Sequence, residues 1–286
     1  MKKITSFSTT LIFVLLLFCS TGIHAQTTKT QLKQVCLDNT EQFSITSKYV
    51  KDETYIIQVG LPGGYSTSNK SYPVLYVLDG EISFGTAKGI SDVLILGQDI
   101  KDIIVIGISY GKGKEYWIDN RVRDFTPSKD TSWFPNAGGA DNFLKFIQDE
   151  LFHVVNKDYR TNPDSTAIFG GSLGGLLTSY ILFKQPEMFK EYIILSPVLI
   201  WDSKSVLKLE TEYFVNHKEL NRTVYIAYSS LDDKEDITYP TDEFIKMIQM
   251  HNYNGLKLVK GILEGQTHAS GFAIGITNGM KTLFHP

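Results

Sequence analysis

The stretch Thr166-Ala-Ile-Phe-Gly-Gly-Ser-Leu-Gly-Gly-Leu176 is the part of the chain from which the fold can best be inferred. Its apolar residues 167–169 predict a buried strand, and the apolar run at residues 176–183 predicts a helix directly after the turn. A Gly-x-Ser-x-Gly sequence between a strand and a helix places the serine, exposed, at a sharp turn. We therefore predict that Ser172 is a nucleophile. The N–H of Leu173, at the start of the helix, is predicted to bind an oxyanion.

The segments around this unit alternate between strand and helix patterns. An uninterrupted apolar run, typical of a strand buried on both faces of a parallel sheet, occurs at residues 73–78, and residues 102–109 repeat this pattern. Further strands are predicted at residues 192–195, 224–228 and 256–263. Apolar residues at helical spacing predict helices at residues 141–155, 241–250 and 270–283. Alternating patterns predict an antiparallel strand pair at residues 42–50 and 54–60. The sequence therefore predicts an α/β fold with a mostly parallel central sheet, helices on both faces and an N-terminal antiparallel pair.

The beginning of the chain predicts export. The basic Met1-Lys2-Lys3 precedes an apolar run at residues 11–18, which is too short to span a bilayer, and Ile23-His24-Ala25 fits a cleavage site. We therefore expect residues 1–25 to be a cleaved signal peptide and the protein to be periplasmic or secreted, without membrane contact after cleavage. The remaining chain is then divided into an N-terminal extension at residues 26–40 and a single domain at residues 41–286.

Composition narrows the classes of partner and cofactor. Loss of Lys2 and Lys3 with the signal leaves 26 basic against 31 acidic residues, a formal charge of −5. This balance argues against a nucleic-acid partner. Only Cys36 remains as a cysteine, so no internal disulfide is expected. The sequence contains neither a His-Glu-x-x-His motif nor a Cys/His cluster, and we expect neither a metal nor an organic cofactor.

A nucleophilic serine needs a base, and the base needs an orienting acid. In α/β enzymes with this motif the acid follows the serine and the histidine comes last. His268 fits, because Glu264-Gly-Gln-Thr-His268 follows a predicted strand and precedes the last helix, where such sheets build their sites. Asp232 is the preferred acid, since it lies nearest the end of the strand at residues 224–228. Other carboxylates of the same loop remain open as the acid: Asp233, Glu235 and Asp236.

An oxyanion site needs a second backbone donor, which should come from the turn after an earlier central strand. Here that turn is Asp79-Gly80-Glu81. We predict that Gly80 and Glu81 form the second wall of the oxyanion site. The alternative interpretation is an ordinary turn.

The segment at residues 110–139 has little periodicity, and a loop of this length is more often functional than idle. It contains aromatic and basic side chains suited to stacking on a substrate. Tyr110, Trp133 and Arg123 are the predicted substrate-binding residues, with Trp117, Phe134 and Arg121 as further candidates. The alternative is that the aromatic residues cover the sheet edge and Arg123 pairs with Asp124 or another carboxylate.

Several stretches together resemble one family. They are Val74-Leu-Tyr-Val-Leu-Asp-Gly80, Arg123-Asp-Phe-Thr-Pro127, Gly138-Gly-Ala-Asp-Asn-Phe-Leu-Lys-Phe146, Tyr159-Arg160 and Gly170-Gly-Ser-Leu-Gly-Gly175. The chain is similar to the esterase-D-like branch of the α/β-hydrolases, which includes enterochelin (ferric-siderophore) esterases. The resemblance implies an α/β-hydrolase fold with Ser172 as nucleophile, His268 as base and an acid near Asp232.

Two positions depart from the family pattern. Ser229-Ser-Leu-Asp232 stands where the family often has Gly-x-x-Glu. Gly171 stands where the family commonly has His or Gln before the nucleophile, which predicts more room beside Ser172.

The combined expectation is an exported serine carboxylic-ester hydrolase that forms an acyl-enzyme. Its substrate would be a small to medium ester such as a siderophore lactone or an acyl sugar. One alternative is a non-catalytic ligand- or glycan-binding module on a hydrolase fold. Another is a serine peptidase of the prolyl-oligopeptidase kind, although that kind usually needs an additional propeller domain, for which this chain is too short. The oligomeric state is left open.

Overall fold

Six parallel strands of the central sheet bring their carboxyl ends to the same edge. A computed structural model describes residues 36–129 and 134–286, and in these residues eight strands form one sheet in the order β1-β2-β4-β3-β5-β6-β7-β8. The strands are β1 (Thr40–Thr46), β2 (Thr54–Gly60), β3 (Tyr72–Val77), β4 (Ile104–Ser109), β5 (Thr161–Gly171), β6 (Glu191–Leu195), β7 (Thr223–Ser229) and β8 (Lys257–Leu263). Strands β3 to β8 run parallel, whereas β2 is antiparallel to both β1 and β4.

The burial of each strand agrees with its composition. The six residues of β4 are all buried, and in β3, β6 and β7 all but one residue each are buried, as expected of strands covered on both faces. In β1 no residue is fully buried, which fits its alternating sequence and its place at the sheet edge. The predicted α/β fold, with a mostly parallel sheet and an N-terminal antiparallel pair, is confirmed.

Helices cover both faces of the sheet. They are α1 (Gly80–Leu96), α2 (Lys114–Phe125), α3 (Ala140–Lys145), α4 (Phe152–Asp158), α5 (Leu173–Lys184), α6 (Trp201–Asn216), α7 (Tyr239–His251) and α8 (Gly271–Leu283). A π-helical turn at Phe146–Leu151 joins α3 to α4, and another at Lys234–Thr238 precedes α7. Apolar residues of α1 and α8 form a core on one face, and those of α2 to α7 form the larger core on the other.

Helix α2 corrects the prediction of an irregular segment at residues 110–139. It begins after Gly113, whose φ of 88° breaks the preceding extended chain. Val122 and Phe125 are buried in the core, while the rest of the helix is rich in charged and aromatic side chains. This mixture hides the helical period, because only a narrow apolar stripe of the helix faces the core.

Leu37–Pro286 form one compact unit, and β1 begins at Thr40. The predicted signal peptide and residues 26–35 of the predicted extension lie outside the described residues. Among the helices of the described ranges, none has the length and apolar character needed to cross a bilayer.

Candidate active site

Ser172 occupies a strained turn between β5 and α5. Its φ of 59° and ψ of −119° lie outside the regions that a side chain ordinarily permits. The Ser172 N–H donates to the Leu195 carbonyl (3.0 Å), and its own carbonyl accepts from the N–H of Leu176 (3.0 Å). Contacts from β6 and α5 thus hold the residue in this conformation, as expected of a turn that presents a nucleophile at the end of a central strand.

Asp232 follows β7 and is held by three hydrogen bonds. One carboxylate oxygen, Oδ1, lies 2.7 Å from His268 Nδ1. The other, Oδ2, accepts from the Ser196 hydroxyl (2.6 Å) and from the Ser229 N–H (2.7 Å). The residue is only 6% exposed. An Nδ1–H that donates to Asp232 leaves Nε2 of His268 as the acceptor nitrogen, which is the tautomer a general base requires.

The structure distinguishes among the carboxylates of the loop after β7. Asp233 is exposed, and its Oδ1 accepts the N–H of Asp236 at 2.8 Å at the start of the following turn. Glu235 and Asp236 are exposed. Of these four carboxylates, Asp232 is the one hydrogen-bonded to His268.

Ser172 and His268 line the same pocket, which has a volume of about 370 Å³. The imidazole side chain is 43% exposed, so it is open to solvent and to substrate. Most of the remaining lining is apolar and comes from α1, α2 and the region where α8 begins. The lining residues are Ile82, Thr86, Trp117, Arg121, Ser172, His268, Ala269, Phe272 and Ala273.

The predicted oxyanion turn lies directly after β3, which neighbours β5 in the sheet. Asp79 has a φ of 54°, and α1 begins at Gly80. A Cβ atom at position 80 would come within 2.9 Å of the Ile108 backbone carbonyl oxygen, so this close approach requires glycine. The Glu81 carboxylate accepts the Tyr110 N–H at 2.5 Å, which ties the start of α1 to the chain after β4. The turns that contain Gly80 and Ser172 therefore follow adjacent strands.

A buried ion pair between Asp79 and Arg121 lies beside the predicted oxyanion turn. Asp79 is 2% exposed and accepts from Arg121 through Nε at 2.7 Å and Nη2 at 2.8 Å. The indole N–H of Trp117 donates to the same carboxylate at 2.8 Å. No role was predicted for Asp79, and the signal that points to it is its place as the first residue of the predicted oxyanion turn. Ser196 was also missed, because nothing in its local sequence marks it as a partner of Asp232.

Two of the predicted substrate-binding residues lie elsewhere. Tyr110 is buried in the core, its hydroxyl donates to Asp124 (3.0 Å), and burial together with the nearby carboxylate raises the pKa of its phenol. Arg123 donates to Asp124 and to the buried Glu53 (3.1 Å). Both side chains are therefore used in an internal network, and neither lines the pocket that contains Ser172 and His268. Trp133 lies outside the described residues.

The space beside Gly171 is also not free. A Cβ atom at this position would overlap the ring of Phe272, which lines the pocket. The prediction of extra room beside Ser172 is therefore corrected: the aromatic ring of α8 occupies it. The same ring contacts the rings of Phe169 and His268 edge-on, with centroid distances of 6.1 Å and 6.2 Å.

The arrangement of the pocket fits chemistry that needs a nucleophile, a base and backbone donors. In the described part of the chain, no three histidine, cysteine or carboxylate side chains gather so as to hold a metal ion. The roles assigned to Ser172, His268, Asp232, Leu173, Gly80 and Glu81 remain predictions.

Comparisons with known proteins assign the chain to a protein family. Residues 47–242 match the model of the Esterase family, described as "Putative esterase". The chain is 28% identical over 234 residues to the ferri-bacillibactin esterase BesA of Bacillus subtilis, covering 75% of this chain and 80% of the relative. It is 28% identical over 281 residues to the siderophore triacetylfusarinine C esterase of Aspergillus fumigatus, covering 87% and 94%. The crystal structure of the BES protein from Bacillus cereus matches with a TM-score of 0.81 and 29% identity, covering 91% of this chain and 100% of that chain.

Proposed function

We propose that this chain, which belongs to the Esterase family, acts through a covalent acyl-enzyme on Ser172. It is a carboxylic ester hydrolase of the siderophore-esterase-like, α/β-hydrolase type. His268 is the proposed base and Asp232 the proposed orienting acid. The observation that carries the proposal is the hydrogen bond of 2.7 Å between the buried Asp232 and His268, since His268 lines the same pocket as Ser172.

The first half of the reaction acylates the serine. His268 Nε2 removes the hydroxyl proton while Ser172 Oγ attacks the ester carbonyl carbon. The carbonyl oxygen becomes an oxyanion, which receives hydrogen bonds from the N–H groups of Leu173 and of Gly80 or Glu81. The intermediate then breaks its bond to the alcohol oxygen, and His268 gives its proton to that leaving oxygen.

The second half releases the acid. A water molecule loses a proton to His268 and attacks the acyl carbon, forming a second oxyanion in the same place. Its collapse breaks the bond to Ser172 Oγ, which takes the proton back from His268. Throughout, the Asp232 carboxylate accepts the Nδ1–H and stabilises the imidazolium that forms in each half.

The choice of acid is tested by a matched pair of variants. Asp232→Asn removes the carboxylate that bonds His268, and we expect kcat for p-nitrophenyl acetate to fall about 10³- to 10⁴-fold. Asp233→Asn changes the neighbouring, exposed carboxylate and should leave kcat within about threefold of wild type. Equal losses in the two variants, or a loss confined to Asp233→Asn, would show that the proposed orienting acid is misassigned.

The proposed substrate is a siderophore-type ester, with an acyl sugar as the second candidate. Two relatives are named as siderophore esterases, and the pocket offers an apolar wall with the Trp117 ring and the Arg121 guanidinium. A panel containing a catecholate lactone, an acetylated xylan fragment and a feruloyl ester separates the candidates by kcat/KM. A catecholate lactone cleaved more slowly than both other esters would exclude the first candidate.

We propose that the mature protein is exported after removal of residues 1–25. The support is the basic, apolar and small-residue pattern of the first 25 residues. Amino-terminal sequencing of the protein from its native host should begin at Gln26. A mature chain that begins at Met1 would contradict export by this route.

A further inference from the structure

A buried carboxylate lies beside the proposed oxyanion site. Asp79 directly precedes Gly80, and its side chain is almost fully buried. A Cβ atom added at Gly174, in the first turn of α5, would lie 3.5 Å from Asp79 Oδ2. The carboxylate therefore lies against both turns whose N–H groups are the proposed oxyanion donors, the one after β3 and the one after β5.

This position creates an electrostatic conflict. The transition state of ester cleavage puts negative charge on the carbonyl oxygen, and catalysis depends on a surrounding that stabilises this charge. A carboxylate a few ångströms away in a poorly solvated site opposes it. A buried carboxylate without a partner would also destabilise the folded protein.

Arg121 offsets the negative charge of Asp79 through two parallel hydrogen bonds. Its Nε and Nη2 atoms donate to the two oxygens of Asp79, a bidentate geometry that joins full opposite charges. Trp117, one turn earlier in α2, adds an indole N–H to Oδ1. Burial opposes the guanidinium charge, yet the attraction of Asp79 raises the pKa of Arg121 above its usual value. Both α2 side chains also line the pocket.

We propose that Arg121 is a positioning residue that compensates the charge of Asp79, so that negative charge can develop on the substrate oxygen. Asp79, Arg121 and Trp117 together form what we call the α2 clamp, which joins the oxyanion turn to the pocket wall. The inference rests on the proposed function, since it concerns the same oxyanion. It assigns Arg121 an electrostatic role in the transition state in addition to any contact it makes with substrate.

Charge compensation and a purely structural role of Arg121 predict different effects on kcat when Asp79→Asn is added to Arg121→Gln. Arg121→Gln leaves the Asp79 charge uncompensated, and we expect kcat for p-nitrophenyl acetate to fall about tenfold or more with little change in KM. Asp79→Asn removes the opposing charge and should lower kcat less than Arg121→Gln does. The double variant Asp79→Asn/Arg121→Gln should recover kcat to within about threefold of Asp79→Asn. Phenylboronic acid, which forms an anionic tetrahedral adduct on the serine, should lose affinity in parallel with kcat.

Other results would overturn the inference. If the clamp only braces α2, both single variants lose kcat and thermal stability together, and the double variant is no better than Arg121→Gln. Should Arg121→Gln fail to fold, Arg121→Lys keeps the charge without the bidentate geometry, and a folded Lys variant with at least tenfold lower kcat would contradict charge compensation. A wild-type protein that neither cleaves the ester nor binds phenylboronic acid would contradict the proposed function itself, and the inference with it.

Discussion

Asp232 gains its position from donors that lie far apart in the chain. Ser196 follows β6, Ser229 ends β7, and His268 precedes α8, yet all three reach the same carboxylate. Each hydrogen bond restricts the carboxylate, and together they leave it one orientation. A side chain held in this way can orient an imidazole through the whole reaction without rearranging.

Phe272 should limit the size of the acyl group. Its ring fills the space beside Gly171 and lines the pocket next to His268. Phe272→Ala removes the ring, so we expect the ratio of kcat/KM for p-nitrophenyl octanoate to that for p-nitrophenyl acetate to rise about tenfold. The control is Ile274→Ala, which truncates an exposed residue of the same helix and should keep the ratio. An unchanged ratio in a folded Phe272→Ala variant would mean that the ring does not face the acyl group.

Local sequence was sufficient to propose roles for some of these residues but not for others. Ser172 and His268 follow from their places between a strand and a helix, and Asp232 from its closeness to a strand end. Asp79 and Arg121 could not be paired from sequence, because they are 42 residues apart and meet only in the folded chain. The error with Tyr110 has the same origin, since the direction of its side chain depends on Asp124.

At the level of elements, continuous apolar runs predicted the central strands well. Strand β7 was predicted to within one residue at each end, and β2, predicted from its alternating pattern, has the predicted limits. Helix α2 was not predicted because one side of it packs in the core and another side lines the pocket. Val122 and Phe125 face the core, whereas Trp117 and Arg121, four residues apart, line the pocket. A helix that is polar and aromatic on its pocket side has no clear apolar period.

The first residue of β6 predicts a pH dependence of stability. Burial raises the pKa of Glu191 to about 7, although Lys101 and Lys257 partly oppose the shift. The folded protein therefore holds this proton more tightly than the unfolded chain. Its free energy of unfolding should fall as pH rises from about 4.5, the ordinary value, to about 7.

Glu191→Gln removes this charge while keeping the side-chain shape. In urea denaturation the variant should be more stable than wild type by roughly 2 kcal/mol at pH 8 and nearly equal to it at pH 5. Glu187→Gln, at an exposed position, is the matched control and should show the same difference from wild type at both pH values. A Glu191→Gln difference that does not grow between pH 5 and pH 8 would contradict the pKa shift.

At the scale of the whole sheet, parallel topology assembles the site. The turns after β3, β5, β7 and β8 carry Gly80, Ser172, Asp232 and His268, and the carboxyl ends of these parallel strands share one edge. Strands β3 and β5 are neighbours although β4 intervenes in sequence, so the winding reverses between them. Ligand sites of open α/β sheets form at such a reversal. The sequence predicted that loops at the carboxyl ends of the parallel strands build the site, because the alternation of strands and helices suffices for that, whereas the order of the strands and the contacts inside the pocket require the packed structure.

The assignment of Ser172 as nucleophile is tested most directly by covalent labelling. The folded protein is incubated with a fluorophosphonate, and the adduct is located by intact mass and peptide mapping. We expect one adduct per chain, on Ser172, with none in Ser172→Ala and an unchanged adduct in Ser66→Ala, which alters an exposed serine. Label on a different residue, or equal labelling of wild type and Ser172→Ala, would contradict the proposed acyl-enzyme mechanism.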